Sequence, residues 1–134
     1  MRLQKNTLLA LYSMLEFAGT PGRQFSVVDL AARLKASPHH LAKVLRALGR
    51  AGLVDSVRGA RGGYRFAANP RRTTLMDVIG LFEDIGPHRA RRPARGAQGA
   101  VAEVLAEIDS TARATFSSVT LDTMLKLIAR RERG

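Results

Sequence analysis

Hydrophobic positions along this chain recur mostly at helical spacing, broken once by a stretch of strand character. Leu8, Leu11, Tyr12, Leu15 and Ala18 follow one another at steps of three and four, predicting a first helix with those residues on its inner face; Gly19-Thr20-Pro21-Gly22 ends it. Ser26-Val27-Val28-Asp29 is a capping-box pattern, with a hydroxyl and a carboxylate placed to satisfy free N–H groups, and it predicts a short second helix through Leu30, Ala31 and Leu34. After a turn at Lys35-Ala36, Ser37 suits an N-cap. Pro38 suits the first helical position, since it lacks only an N–H that would be unpaired there. The third helix so begun carries Leu41, Val44, Leu45 and Leu48 as a buried stripe, with Gly49 and Gly52 as left-handed stops.

Beyond it the period changes. Leu53 to Arg58 and Tyr64 to Ala67 read as two short strands around Gly59-Ala60-Arg61-Gly62-Gly63, a β-hairpin closed by Asn69-Pro70. Thr74-Leu75-Met76-Asp77 is a second capping box, opening a fourth helix with Val78, Ile79 and Phe82 inward. Residues 86–99 hold two Pro, three Gly and four Arg, with no acid and no apolar period, and are expected to form a basic, flexible connection. Val101, Val104, Leu105, Ile108 and Ala112 then line one face of a longer helix, and Leu121, Met124, Leu125 and Ile128 one face of a last helix. The expected fold is mainly α with a small β-hairpin. Residues 1–85 form a winged helix-turn-helix, 86–99 the connection and 100–134 a helical dimerisation region built on Val101, Val104, Leu105 and Ile108.

Composition sharpens the functional reading. The chain contains no cysteine, which excludes disulfides, thiolate catalysis and cysteine-held zinc or iron–sulfur clusters. No apolar run approaches the roughly 20 residues needed to cross a bilayer, and the N-terminal pattern is amphipathic rather than that of a signal peptide, so a cytoplasmic protein without a membrane partner is expected. The net charge is +11, which favours a polyanionic partner. Its distribution says more: residues 1–72 hold 13 Lys and Arg against three acids, residues 73–134 nine against eight. The basic footprint belongs to the N-terminal half.

Two helices joined by a tight turn, the second followed at once by a glycine-rich hairpin, outline a winged helix-turn-helix whose third helix is the reader. With the leucine stripe inward, the opposite face of that helix holds His39, Lys43, Arg46 and Arg50, with His40 on its flank. Residues at a reader helix's N-terminus reach base edges most easily, so His39, His40 and Lys43 are expected at the bases and Arg46 and Arg50 at phosphates, with Ser37 and Pro38 at the helix start also part of the DNA-binding surface. Exposed faces ordinarily mix acids with bases, yet residues 30–54 contain no acid at all. Arg58, Arg61 and Arg65 surround the hairpin glycines, and a narrow minor groove attracts such arginines; Arg61 is the expected tip contact. The glycines lack the Lys-Ser/Thr and following helix of a nucleotide loop.

These residues resemble the Rrf2 family of bacterial winged-helix regulators, the group that includes IscR, NsrR and CymR. The resemblance rests on Met1-Arg2-Leu3 with Thr7 and Ala10-Leu11, on Ser37-Pro38-His39-His40-Leu41-Ala42-Lys43-Val44 running into Leu48-Gly49-Arg50-Ala51-Gly52-Leu53-Val54, and on the wing Arg58-Gly59-Ala60-Arg61-Gly62-Gly63-Tyr64. Leu75-Met76-Asp77-Val78-Ile79 and Thr120-Leu121-Asp122-Thr123-Met124-Leu125 extend it. It implies a homodimer that presents two reading heads to a pseudo-palindromic operator on double-stranded DNA, with repression the habitual direction. Many family members hold an iron–sulfur cluster on three cysteines in the connection after the fourth helix, some with an acidic ligand in the first. Here the connection reads Gly86-Pro87-His88-Arg89-Ala90-Arg91-Arg92-Pro93-Ala94-Arg95 and the acidic position is Leu8, so no cofactor is expected and His88 reads as a surface histidine.

No active site is legible. No serine sits in a nucleophile elbow, adjacent His39 and His40 lack both an orienting acid and the i, i+4 spacing of helical metal ligands, and Glu83-Asp84 reads as an ordinary helix-end charge pair. The rival to a DNA regulator is a module answering a small-molecule or protein effector, with the helix-turn-helix as scaffold; the bases of the third helix would then have no purpose. Non-specific packaging of nucleic acid fits the charge but not a wing and a dimer helix. Whether the arginine-rich connection touches DNA, binds an anion or is disordered stays open at this level.

Overall fold

Helix α1 (Lys5–Gly19) is the axis on which the rest of the chain assembles, and it touches α2, α3, α4, α6 and β3. The computed structural model describes residues 2–59, 62–85 and 95–134. The element order is α1, β1 (Gln24–Phe25), α2 (Val27–Leu34), α3 (Pro38–Arg50), β2 (Val54–Val57), β3 (Gly63–Phe66), α4 (Leu75–Ile79), α5 (Gly96–Ser118) and α6 (Leu121–Arg133).

The inner face of α1 differs from the expected one. Thr7, Leu9, Ala10, Ser13, Met14, Phe17 and Ala18 are buried, Leu8, Leu11 and Leu15 are half-buried, and Tyr12 is 52% exposed. The reason is close packing on several sides: small residues at 10, 13 and 18 let neighbouring elements approach, which hydrophobicity alone does not reveal. The buried hydroxyls are satisfied locally, Ser13 donating to the carbonyl of Leu9 at 2.7 Å and Thr7 to the carboxylate of Glu83. That carboxylate also accepts the backbone N–H of Gln4 at 2.8 Å, supplying the N-terminus of α1 with the anion that its own sequence lacks. Glu83 is thus a long-range cap rather than one half of an ordinary charge pair.

Helix starts follow the sequence closely. Ser26 accepts the N–H of Asp29 at 3.1 Å, although the reciprocal half of that box is not formed; Thr74 and Asp77 form both halves, at 3.1 and 2.9 Å. Between α2 and α3, Lys35 adopts φ +53, the left-handed conformation normally left to glycine, and Ala36 N–H closes onto Ala31 O at 2.9 Å. Gly52, at φ +77, ends α3 as expected, whereas Gly49 lies inside the helix.

The hairpin is part of a three-stranded antiparallel sheet of order β1-β3-β2, the first strand of which was not expected. Phe25 pairs with Tyr64 and buries its ring edge-to-face on Phe17, centroids 5.5 Å apart, so the sheet is pinned to the core through a two-residue strand. The core joins Met14 and Phe17 to Leu30, Leu41, Leu45, Leu48, Val54, Val78 and Leu121. Leu121 in this list gives α6 its place: the C-terminal helix packs on α1, and its stripe serves the N-terminal body instead of forming one unit with α5. Helix α5 starts at Gly96, within the span expected to be connection, and has no buried residue over its 23 positions. No helix among the described residues is long and apolar enough to cross a membrane.

Candidate nucleic-acid interface

The surface begins with the two caps of α3. Ser37 accepts the N–H of His40 at 3.4 Å and Pro38 starts the first turn, which fixes where the helix begins and therefore which residues face out. Leu41, Leu45 and Leu48 are fully buried and Val44 nearly so. Rotation about the helix axis is consequently fixed, and Ser37, Pro38, His39, His40, Lys43, Arg46 and Arg50 are all exposed. Leu41, Leu45 and Leu48, with Val44, hold the helix against the core and against α1 and α2; at roughly 1.5–3 kcal/mol for each fully buried side chain, this packing far exceeds the cost of gathering like charges in water.

Lys43, Arg46, Arg50 and Arg58 form no ion pair with an acid among the described residues. Arg46 Nε approaches the carbonyl of Ala42 at 3.4 Å, a weak contact with its own helix. Other cations are already engaged in the fold. Arg33 pairs with Glu16 at 2.9 Å, and Arg23 lies 4.5 Å above the ring of Phe25. The exposed charge on α3 therefore has no internal partner to neutralise it.

Beside α3, Arg58 is exposed at the end of β2 and Gly59 has φ +144. Arg61, expected at the tip, lies outside the described residues, as does His88. Arg65 is not at the tip: it sits within β3 on the outer face of the sheet, directly across from Asp55 on one side and Gln24 on the other. Strand alternation accounts for this, because Tyr64 and Phe66 turn inward to the core and send Arg65 outward. Two cations that were not singled out from sequence, Lys5 and Lys35, flank the start of α3 across a groove that also meets Ser37 and His40. Only the pairing of a helix start with a helix-turn in space brings them together, and no spacing in the chain signals it.

Comparison with known proteins places these features in a family. A family model described as Rrf2, iron-dependent transcriptional regulator, matches residues 3–127. A relative in Rhodopseudomonas palustris named BadM is 50% identical over 130 residues, covering 96% of this chain and 83% of its own. The HTH-type transcriptional regulator CymR of Bacillus subtilis is 29% identical over 125 residues, covering 92% and 89%. The solved structure of that CymR, titled the global cysteine regulator, superposes with a TM-score of 0.77 at 27% identity over 95% of this chain and 98% of its own. IscR of T. potens gives 0.70 at 26% over 94% and 87%.

The word iron in that description does not suit the donors present here. The chain has no cysteine, and among the described residues no three of His, Asp and Glu come together. His39 and His40 are adjacent on an exposed helix, their rings 6.0 Å apart and crossed. Iron–sulfur clusters need thiolates, with histidine at most replacing some of them.

Proposed function

The chain belongs to the Rrf2 family of transcriptional regulators, and from that membership we propose a homodimeric repressor that reads a pseudo-palindromic operator through α3 and its wing, without an iron–sulfur cluster. The observation that carries the proposal is the acid-free outer face of α3, cationic and unpaired, held out from the core by four buried aliphatic side chains. His39, His40 and Lys43 stand where side chains reach base edges in the major groove, with Ser37 and Pro38 at the helix start beside the backbone. Arg46 and Arg50, a turn and two turns farther on, supply phosphate contacts, and Arg58, Arg61 and Arg65 the wing's approach to the adjacent groove. Two such heads related by a two-fold axis through α5 would read half-sites about 34 Å apart, or a multiple of it.

Selection of bound sequences from random duplexes is expected to return an inverted repeat. Against the selected operator, Lys43→Ala is expected to lose about ten-fold in affinity at fixed salt, with unchanged circular dichroism, the cost of one reader contact. Affinity equal to that of the parent chain would remove α3 as the reader. Treatment with an iron chelator is expected to leave binding unaltered and the purified protein colourless. Binding lost on chelation and restored by ferrous ion would defeat the cluster-free part of the proposal.

A further inference from the structure

A groove of about 230 Å³ opens between the first two turns of α1 and the turn that joins α2 to α3. Lys5, Lys35, Ser37 and His40 form its polar rim, Leu8 and Leu34 part of its apolar side, and none of its ten lining residues is an acid. Ser37 and His40 belong to the start of the reader helix, so the groove adjoins the surface assigned above to the operator. A deoxyribose phosphate has the matching character: an anionic group for the lysines and histidine, and an apolar sugar face for the leucines.

Lys35 supplies an independent observation. It is the one non-glycine with positive φ among the described residues, at a helix C-cap where glycine fits without strain. Backbone strain of this kind persists only where the surrounding structure over-determines it, and it clusters at functional sites. The exposed lysine side chain makes no ion pair with an acid among the described residues, so nothing in the fold itself requires a lysine there.

We infer that this groove seats a backbone phosphate of the operator just outside the bases read by α3, with Lys35 and Lys5 as its contacts. The inference rests on the reading of α3 as the DNA-facing helix. It enlarges the footprint from helix and wing to a third point on the duplex, one indifferent to sequence.

The test uses the full chain and two duplexes, the selected operator and an unrelated one, titrated at several salt concentrations. Lys35→Gly is expected to melt at a higher temperature than the parent, because the left-handed cap is relieved. It is expected to bind both duplexes roughly five-fold more weakly, with a salt slope reduced by about one. Gain of stability with loss of affinity cannot come from a damaged fold. Lys35→Asn, which tolerates the same φ without the charge, is expected to show the same loss, and Lys5→Ala a loss of similar size on both duplexes. Unchanged affinity and salt slope in Lys35→Gly and Lys35→Asn would overturn the inference, and would direct attention to a small amphipathic anion as the groove's occupant. Lys43→Ala separates the two levels: if it weakens binding while the Lys35 variants do not, the groove assignment alone fails, and if neither does, the reader assignment fails with it.

Discussion

A Leu105→Glu, Ile108→Glu double variant is expected to sediment as a monomer and to bind the operator about 100-fold more weakly than the parent chain. The argument starts from α5, which buries none of its 23 residues in a single copy. Val101, Val104, Leu105 and Ile108 are 57, 55, 55 and 54% exposed, and their spacing sets them on one stripe. Helix α5 touches α4, but its apolar stripe meets nothing in a single copy, and a contiguous exposed stripe of this kind marks a contact surface, so a second copy is expected to cover it. Half-covered side chains of this size gain roughly 1 kcal/mol each on full burial, and eight of them in a two-fold pair give about 8 kcal/mol, within the range that association costs. Four carboxylates at the centre of that contact would each have to be desolvated beside a like charge, which exceeds the gain. The body of the molecule would be untouched, because Leu121 and α6 close the core on α1 without help from α5. A monomer still presents α3 but loses the tethered second half-site. A variant that stays dimeric, or binds the operator as tightly as its parent, would remove the stripe from the assembly.

What was legible from sequence and what was not divide along a physical line. The reader helix was legible because its determinants are local: a hydroxyl cap, a proline at the first position, and leucines at a strict helical period. The same holds for the Thr74 and Asp77 box, where both bonds lie within four residues. Features set by distant partners were not. Nothing near Gln4 announces that Glu83 caps the first helix, and nothing in the two residues of β1 shows that they join a sheet formed some forty residues later. The inner face of α1 departs from its hydrophobic period because small residues and satisfied hydroxyls do the packing there. On α6 the period places Leu121, Met124, Leu125 and Ile128 on one face, but it does not say what meets that face: Leu121 is buried and Leu125 half-buried against the core that α1 organises, while Met124 and Ile128 are half-buried. In the binding surface, the α3 cations followed from the helical wheel, whereas Lys35 and Lys5 became visible only through the shape of the groove.

Gly63→Ala is expected to cost about 3 kcal/mol in denaturant unfolding and to detach β1 from the wing. Gly63 has φ +146, a region that side chains rarely enter, and a Cβ there would overlap the carbonyl oxygen of Phe25 while lying 2.9 Å from its carbonyl carbon and 3.1 Å from Cα of Ser26. All three are backbone atoms, so no rotamer change relieves the overlap. The strands must separate, breaking the pairing of Phe25 with Tyr64 and Gln24 with Arg65. Phe25 cannot follow its strand freely, because its ring is held against Phe17 inside the core. Strain therefore goes to β3 and the wing, which shift relative to α3. Gly59→Ala is the matched control: its φ is +144, but nothing lies within 4 Å of the added carbon, so only the conformational cost, at the lower end of about 1–3 kcal/mol, is expected, without the overlap that adds to it at Gly63. Hydrogen exchange at residues 24–26 and 63–66 should rise in Gly63→Ala and stay near the parent's values in Gly59→Ala, and operator affinity should fall further in the former. Equal stability of the two variants would mean that β1 does not brace the wing, and that the close approach at Phe25 is not what fixes the hairpin beside the reader helix.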